Sequence, residues 1–214
     1  GSRLVKENLL NARLGRIKAA RLFVTYHKPD SYYKTSNWKG RLDKEGGGVL
    51  IDQAIHFIDV LRWFIDDKVE YIEANTSRRM HRLIEVEDLA EGVIKFKKGA
   101  YICFYLMNFY SFDADPEIEI DCENGRAKII KDSARISFYN GKELKAGPKP
   151  REYIDYGENR KDYWGFCHWI QIKEFYKALG ENREPEVNGE EALKTQKIVW
   201  NIYKSARERR RVRL

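Results

Sequence analysis

The sequence predicts an α+β fold: a large, mostly antiparallel, open-faced sheet with helices packed on one face. Three observations carry this. Several β-rich segments in the middle of the chain are separated by the turn signals Lys98-Gly99, Asn124-Gly125 and Asn140-Gly141, and short turns between consecutive strands make those strands antiparallel. One segment, Val49 to Ile65, is apolar on nearly every side, as a helix buried in a core would be. Two more helical segments close the chain after the Gly/Pro-rich stretch Gly147 to Pro150.

In chain order, Arg3 to Leu14 reads as a short helix that stops at Gly15, and Arg16 to Tyr26 alternates apolar and polar residues as a strand does. His27 to Gly48 carries Pro29, Gly40 and the run Gly46-Gly47-Gly48, so it reads as a long loop, and loops of such length in a compact domain usually serve function. The buried helix follows. Strands are then expected at Lys68 to Arg78, Leu89 to Phe96, Ala100 to Phe109, Glu117 to Cys122, Arg126 to Lys131 and Ala134 to Tyr139. The closing helices span Tyr163 to Leu179 and Gly189 to about Arg207, the latter with Asn188 as its N-cap. We expect one domain over residues 1–214.

A charged fraction of 34% beside 43% apolar residues describes a solvated globular surface rather than a disordered chain. Much of the net charge of +7 comes from Arg207, Arg209, Arg210, Arg211 and Arg213. Clustered arginines bind phosphate backbones, but no basic face recurs elsewhere, so this run reads as the solvated end of a helix and no nucleic-acid partner is expected. Cys103, Cys122 and Cys167 lack disulfide or zinc spacing, no apolar run is long enough to span a bilayer, and a cytoplasmic, membrane-free protein is expected. Gly1-Ser2 resembles the remnant of a removed expression tag.

Within the apolar helix, Asp52, His56 and Asp59 fall at i, i+4 and i+7, which at about 100° per residue sets them on one stripe. Ionisable groups on so apolar a rod are costly to bury unpaired. The stripe therefore faces either a satisfied structural network or a wet cleft. Oxidation of a secondary alcohol needs a base for the hydroxyl proton while hydride leaves for a cofactor, and a histidine beside a carboxylate suits that step. Gly46-Gly47-Gly48 either gives the chain a flexible approach to the helix or opens the helix N-terminus to a ligand. A dinucleotide cradle, with strand, G-x-G-x-x-G turn and helix, does not occur in the sequence.

The stretch from Gly46 through Asp52, His56 and Asp59 to Leu61-Arg62-Trp63 resembles the signature helix of the Gfo/Idh/MocA oxidoreductases. Leu14-Gly15-Arg16-Ile17, Val86-Glu87-Asp88 and Asn188-Gly189-Glu190-Glu191-Ala192 through Tyr203-Lys204-Ser205-Ala206 agree in the same order. The resemblance implies the family's second half, similar to the C-terminal domain of glyceraldehyde-3-phosphate dehydrogenase, with the N-terminal NAD(P)-binding domain absent from these residues. It implies Asp52 and His56 as the catalytic pair of a D-x-x-x-H motif and Asp59 as a pocket residue. The lysine of the family's E-K-P motif has no counterpart here, so the chain alone is expected to be inactive.

On the substrate side, Tyr26, His27, Lys28, Tyr33, Trp38, Lys39 and Arg41 would line the loop. Their rings and charges suit a hydroxylated, anionic ligand. The stretch from Trp38 to Gly48 is most similar to the branch acting on nucleotide-linked sugars. His168, near Trp164, Phe166 and Trp169, is as readable as a packed histidine as it is as a pocket one, and His81 reads as exposed loop. The implied function is the substrate-binding, acid/base half of an oxidoreductase acting on a sugar, nucleotide-sugar or polyol. NAD or NADP would be bound by the full-length enzyme and no cofactor by this chain alone. The outer face of Ala100 to Phe109 is apolar and aromatic enough to meet another subunit, so a homo-oligomer through the open sheet face is expected. The competing reading is a stand-alone, non-catalytic module for carbohydrate binding or oligomerisation.

Overall fold

In a computed structural model of the chain, residues 1–147 and 166–214 are described. They form two compact units: the larger comprises Gly1–Gly147 and Thr195–Leu214, and the smaller ends at Lys194. The larger unit is an α+β body built on a nine-stranded sheet. Its strands are β1 (Ile17–Thr25), β2 (Val69–Ser77), β3 (Leu89–Phe96), β4 (Tyr101–Met107), β5 (Glu117–Cys122), β6 (Gly125–Ile130), β7 (Ser133–Phe138), β8 (Glu143–Ala146) and β9 (Val212–Arg213), in the spatial order β8-β7-β6-β5-β1-β4-β3-β2-β9.

The expected hairpins are present: β3 pairs with β4, β5 with β6 and β7 with β8, all antiparallel. One pair departs from that rule. β1 lies parallel to β4, with Ala19 opposite Tyr101 and Thr25 opposite Met107, because β1 reaches the sheet centre through a long excursion rather than a tight turn. The end of the chain also differs from its reading as a solvated helix end. Val212 and Arg213 pair with β2, and Arg211 and Arg213 reach Glu73 and Glu70 at 2.9 and 3.9 Å.

Strand residues alternate between a core face and an open face. Leu22, Ile72, Ile94, Phe104, Ile120 and Ile136 point inward and are almost wholly buried. Onto them pack α1 (Ser2–Leu10), α4 (Ile55–Ile65) and the later turns of α6 (Gly189–Glu208), through Val5, Leu61, Phe64, Val199 and Ile202. The opposite face carries ion pairs such as Lys18–Asp121 at 3.0 Å and Lys128–Glu117 at 2.9 Å. It also carries an edge-on Phe23–Tyr105 pair with centroids 6.5 Å apart. Among the described residues no helix is long and apolar enough to cross a membrane.

The smaller unit contributes α5 (Phe166–Gly180) and the first turn of α6. Asn188 caps α6 as expected, its side-chain oxygen accepting the Glu191 N–H at 2.9 Å. The expected helix start at Tyr163 and Trp164, the end of the Gly147 to Pro150 stretch and the Phe166 and Cys167 side chains lie outside the described residues.

Candidate active site

The excursion between β1 and the buried helix is not wholly irregular. Pro29 precedes a short helix, α2 (Asp30–Lys34), and a second one, α3 (Leu42–Glu45), ends at Gly46 in the left-handed region with φ of +82°. Gly47 and Gly48 then pass close against α6 and the segment that leads into β3, with no room for a side chain. A Cβ on Gly47 would lie 2.1 Å from the Tyr203 hydroxyl, and one on Gly48 would lie 1.8 Å from the Glu87 carbonyl oxygen.

Glu87, at the entrance to β3, explains this closeness. Its carboxylate accepts the N–H of Gly48 at 3.0 Å and of Leu50 at 3.0 Å, and the Tyr203 hydroxyl at 2.8 Å. The free amides at the start of the helix are thereby satisfied by a buried anion, the favourable partner for a helix N-terminus. Of the two sequence readings of the glycine run, ligand access through this N-terminus is closed off, because Glu87 already occupies it.

Burial raises the Glu87 carboxyl above the ordinary carboxylate range, against the opposing hydrogen bonds from Leu50, Tyr203 and Gly48. The folded protein thus binds this proton more tightly than the unfolded chain does. The stabilisation linked to that proton is full below the ordinary glutamate value and falls as pH rises through the raised one. Glu87→Gln cannot titrate, so urea unfolding between about pH 4 and about pH 8 is expected to show a smaller loss of stability in the variant. An identical pH slope in both proteins would overturn this.

After Val49 the helix opens as a π-helical turn, Leu50–Ala54, before becoming α-helical at Ile55. Such turns insert a wider loop of backbone and recur at functional sites. The even 100° stripe expected for Asp52, His56 and Asp59 therefore does not run unbroken. Asp52, inside the π turn, is half-buried, and its carboxylate accepts the Tyr32 hydroxyl at 3.1 Å and a contact from the Gln53 amide. His56 is exposed, and its imidazole makes no hydrogen bond or ion pair with any described residue. Asp59 points to α6, accepting from the Thr195 hydroxyl and from Arg62 at 3.3 Å. Asp52 and His56 thus stand on one segment without being tied to each other, while Asp59 belongs to a network joining α4 and α6.

The other expected site residues divide. Tyr26 and Lys28 leave β1 together, with the Lys28 ammonium 5.6 Å from the Tyr26 ring centroid. Lys39 lies over the Tyr32 ring at 3.5 Å and 5.7 Å from the Trp38 ring, and Lys28 is 5.0 Å from that same Tyr32 ring. Lys28, Lys39 and Trp38 are therefore gathered around Tyr32, whose hydroxyl binds Asp52. Burial and the neighbouring Asp52 push the Tyr32 phenol up, so it stays a proton donor to that carboxylate. The His27 imidazole binds the Tyr110 carbonyl oxygen at 2.8 Å, and Arg41 pairs with Glu85 at 3.4 Å. Tyr33 faces away from the site into a small core with Ile84 and Val86. His168 lies exposed on α5 in the smaller unit.

His81 corrects its reading as exposed loop, since it retains only 7% exposure. The fully buried Asp88 carboxylate accepts the backbone N–H groups of Arg79, Met80 and His81 at 2.7, 2.8 and 2.9 Å. This folds the β2–β3 connection back, and the His81 ring stands edge-on to Tyr33 with centroids 5.0 Å apart. Sequence reasoning also passed over Tyr32. Pro29-Asp30 signals the start of a helical turn there, but not which of the two adjacent tyrosines faces the buried helix. Among the described residues no three His, Cys, Asp or Glu side chains gather as metal ligands.

Comparison with known proteins bears on this arrangement. Residues 6–214 match the family model described as "Oxidoreductase family, C-terminal alpha/beta domain", GFO_IDH_MocA_C. The chain is 25% identical over 171 residues to a myo-inositol 2-dehydrogenase of Thermotoga maritima, covering 78% of the chain and 49% of that protein. It is 30% identical over 104 residues to a 1,5-anhydro-D-fructose reductase of Ensifer adhaerens, covering 48% of the chain and 30% of that protein. The chain thus spans about half or less of the length of these relatives. Among solved structures it is similar to the WlbA dehydrogenase of Bordetella pertussis in complex with NADH and UDP-GlcNAcA. There the TM-score is 0.78 and the identity 26%, over 99% of this chain and 59% of that one. With the matched residues running from the first helix to the last strand, the chain belongs to the Gfo/Idh/MocA oxidoreductase family, as its C-terminal alpha/beta domain.

Proposed function

We propose that this chain is the substrate-binding, acid/base half of an NAD(P)-dependent oxidoreductase that acts on a sugar, nucleotide-sugar or polyol. The observation that carries the reading is the pairing of a solvent-facing, unengaged His56 imidazole with a half-buried Asp52 carboxylate one turn before it, beside a patch of aromatic rings and lysines. A ring of tyrosine and tryptophan suits the apolar faces of a sugar, and an unengaged imidazole suits its hydroxyl.

In oxidation, one nitrogen of His56 takes the hydroxyl proton as the carbinol carbon gives up its hydrogen with both electrons, leaving a carbonyl. The bound nicotinamide, NAD or NADP, supplies the hydride acceptor. Asp52, held by Tyr32, keeps a negative charge on the preceding turn that favours the imidazolium so formed. Asp59 acts on the site through α4 rather than by contact. The nucleotide-binding domain lies outside these residues, and the chain alone would not turn over. The working protein is cytoplasmic and associates with further copies through the open sheet face, where Phe23, Tyr101 and Tyr105 stand on neighbouring strands.

The test is direct. The full-length enzyme, given sugars and polyols deuterated at the carbinol carbon, is expected to deliver the label to the nicotinamide ring, as followed by NMR. If no label is transferred from any of them while the protein still binds sugar, the domain is a binding module and the oxidoreductase reading fails.

A further inference from the structure

We infer that Lys28 and Lys39 form an anion-binding subsite, which takes a carboxylate or phosphate carried by the same sugar ring whose hydroxyl is handled at Asp52 and His56. The inference rests on the function proposed above and narrows it to a charged monosaccharide unit.

The two lysines come from opposite ends of the α2 segment and converge on one ring, 5.0 and 3.5 Å from the Tyr32 centroid. Both are only partly exposed. Neither ammonium donates a hydrogen bond to a described residue, and neither lies within 4.0 Å of a described carboxylate. Lys18, Arg21, Arg41 and Lys128, by contrast, each meet an acid.

The nearby acids are already engaged. Asp52 accepts from Tyr32 and Gln53, Glu45 accepts the Gly40 N–H, and Glu87 is closed around Gly48, Leu50 and Tyr203. Burial raises the Glu45 carboxyl above its ordinary value, and Lys39 opposes that rise only weakly, through space and without touching it. A tyrosine face holds a cation by its quadrupole but accepts none of the directed N–H groups on its far side. Two ammonium groups with three donors each are therefore brought to one ring without acceptors among the described residues. A carboxylate or phosphate that reaches both would satisfy them with charge-assisted hydrogen bonds.

Position fixes the rest. The Tyr32 hydroxyl touches Asp52 at 3.1 Å, so only the width of that one phenol separates the lysines from the catalytic carboxylate. The anion must therefore sit on the reacting sugar, as in a uronate or a sugar phosphate. The diphosphate of a nucleotide carrier would lie farther off.

The chain can be titrated with D-glucuronate, D-glucose 6-phosphate and D-glucose at low salt, with Trp38 fluorescence and amide NMR shifts as readouts. At least one charged sugar is expected to bind about tenfold or more tightly than glucose, and the stronger of the two identifies carboxylate or phosphate as the natural group. Replacing both lysines by methionine (K28M/K39M), which keeps the apolar stems, is expected to erase this preference while leaving Tm in place. Equal binding of charged and neutral sugars by the native chain, or a preference retained in K28M/K39M, overturns the subsite and leaves the oxidoreductase reading standing. Binding of none of the three sugars overturns both. Should Asp52→Asn leave turnover of the full-length enzyme unchanged while the charge preference persists, the acid/base reading alone falls.

Discussion

In the full-length enzyme, His56→Ala is expected to lower kcat for sugar oxidation by about 10²- to 10⁴-fold, the range for loss of a positioned acid/base group. Stability should change by less than about 0.5 kcal/mol, because the imidazole is exposed and contacts no described partner. That separation between activity and stability makes the experiment decisive. A structural histidine would change both together, whereas this one has little to hold in place. Added imidazole is expected to restore part of the rate, since the deletion leaves open space at the surface. Asp52→Asn keeps the shape and the acceptor for the Tyr32 hydroxyl but removes the charge, so its loss of rate should come with the Tyr32 contact intact. Unchanged turnover in either variant, measured as nicotinamide reduction, would remove the acid/base assignment.

Gly48→Ala is expected to destabilise the fold by more than about 3 kcal/mol, a large part of the margin of an ordinary domain. The new methyl would have to occupy a point 1.8 Å from the Glu87 carbonyl oxygen, and backbone cannot swing aside as a flexible side chain can. Moving it would also part the Glu87 carboxylate from the Gly48 and Leu50 amides, leaving buried donors without an acceptor. Gly46→Ala is the control. It has the left-handed φ of +82° but no atom within 4 Å of its would-be Cβ, so only backbone strain of about 1 kcal/mol is expected. Urea unfolding of the two variants should rank them widely apart, and a Gly48 variant as stable as the Gly46 one would refute the account of this crossing.

Much of the architecture was legible because it is written in local period and turn chemistry. The alternation in Glu117 to Cys122, the Asn-Gly turns and the apolar rod around Ile58 and Leu61 each act over a few residues, and the structure keeps them. What escaped depends on partners far along the chain. No local pattern foretells that Asp59 will meet Thr195, that Glu87 will close the start of a helix from across the fold, or that Asp88 will draw His81 inside. The π turn at Leu50–Ala54 is equally silent, since its residues suit an ordinary helix and only the pull of Glu87 on Gly48 and Leu50 distinguishes its setting. For the site, the residue types on the loop and helix were readable, but which of Tyr32 and Tyr33 turns toward Asp52 was decided by packing against Ile84 and Val86.

The parallel seam between β1 and β4 also sets the order in which the chain can assemble. β1 sits between β4 and β5, both made much later in synthesis, so the earliest strand must wait for the two hairpin arrays it joins. β2-β3-β4 and β5-β6-β7-β8 can each close from residues near in sequence, whereas docking β1 demands a long-range loop closure. β1 is thus made before both of its sheet neighbours yet docks only after them, and until it does the nascent sheet exposes two raw edges that invite chaperones or mispairing.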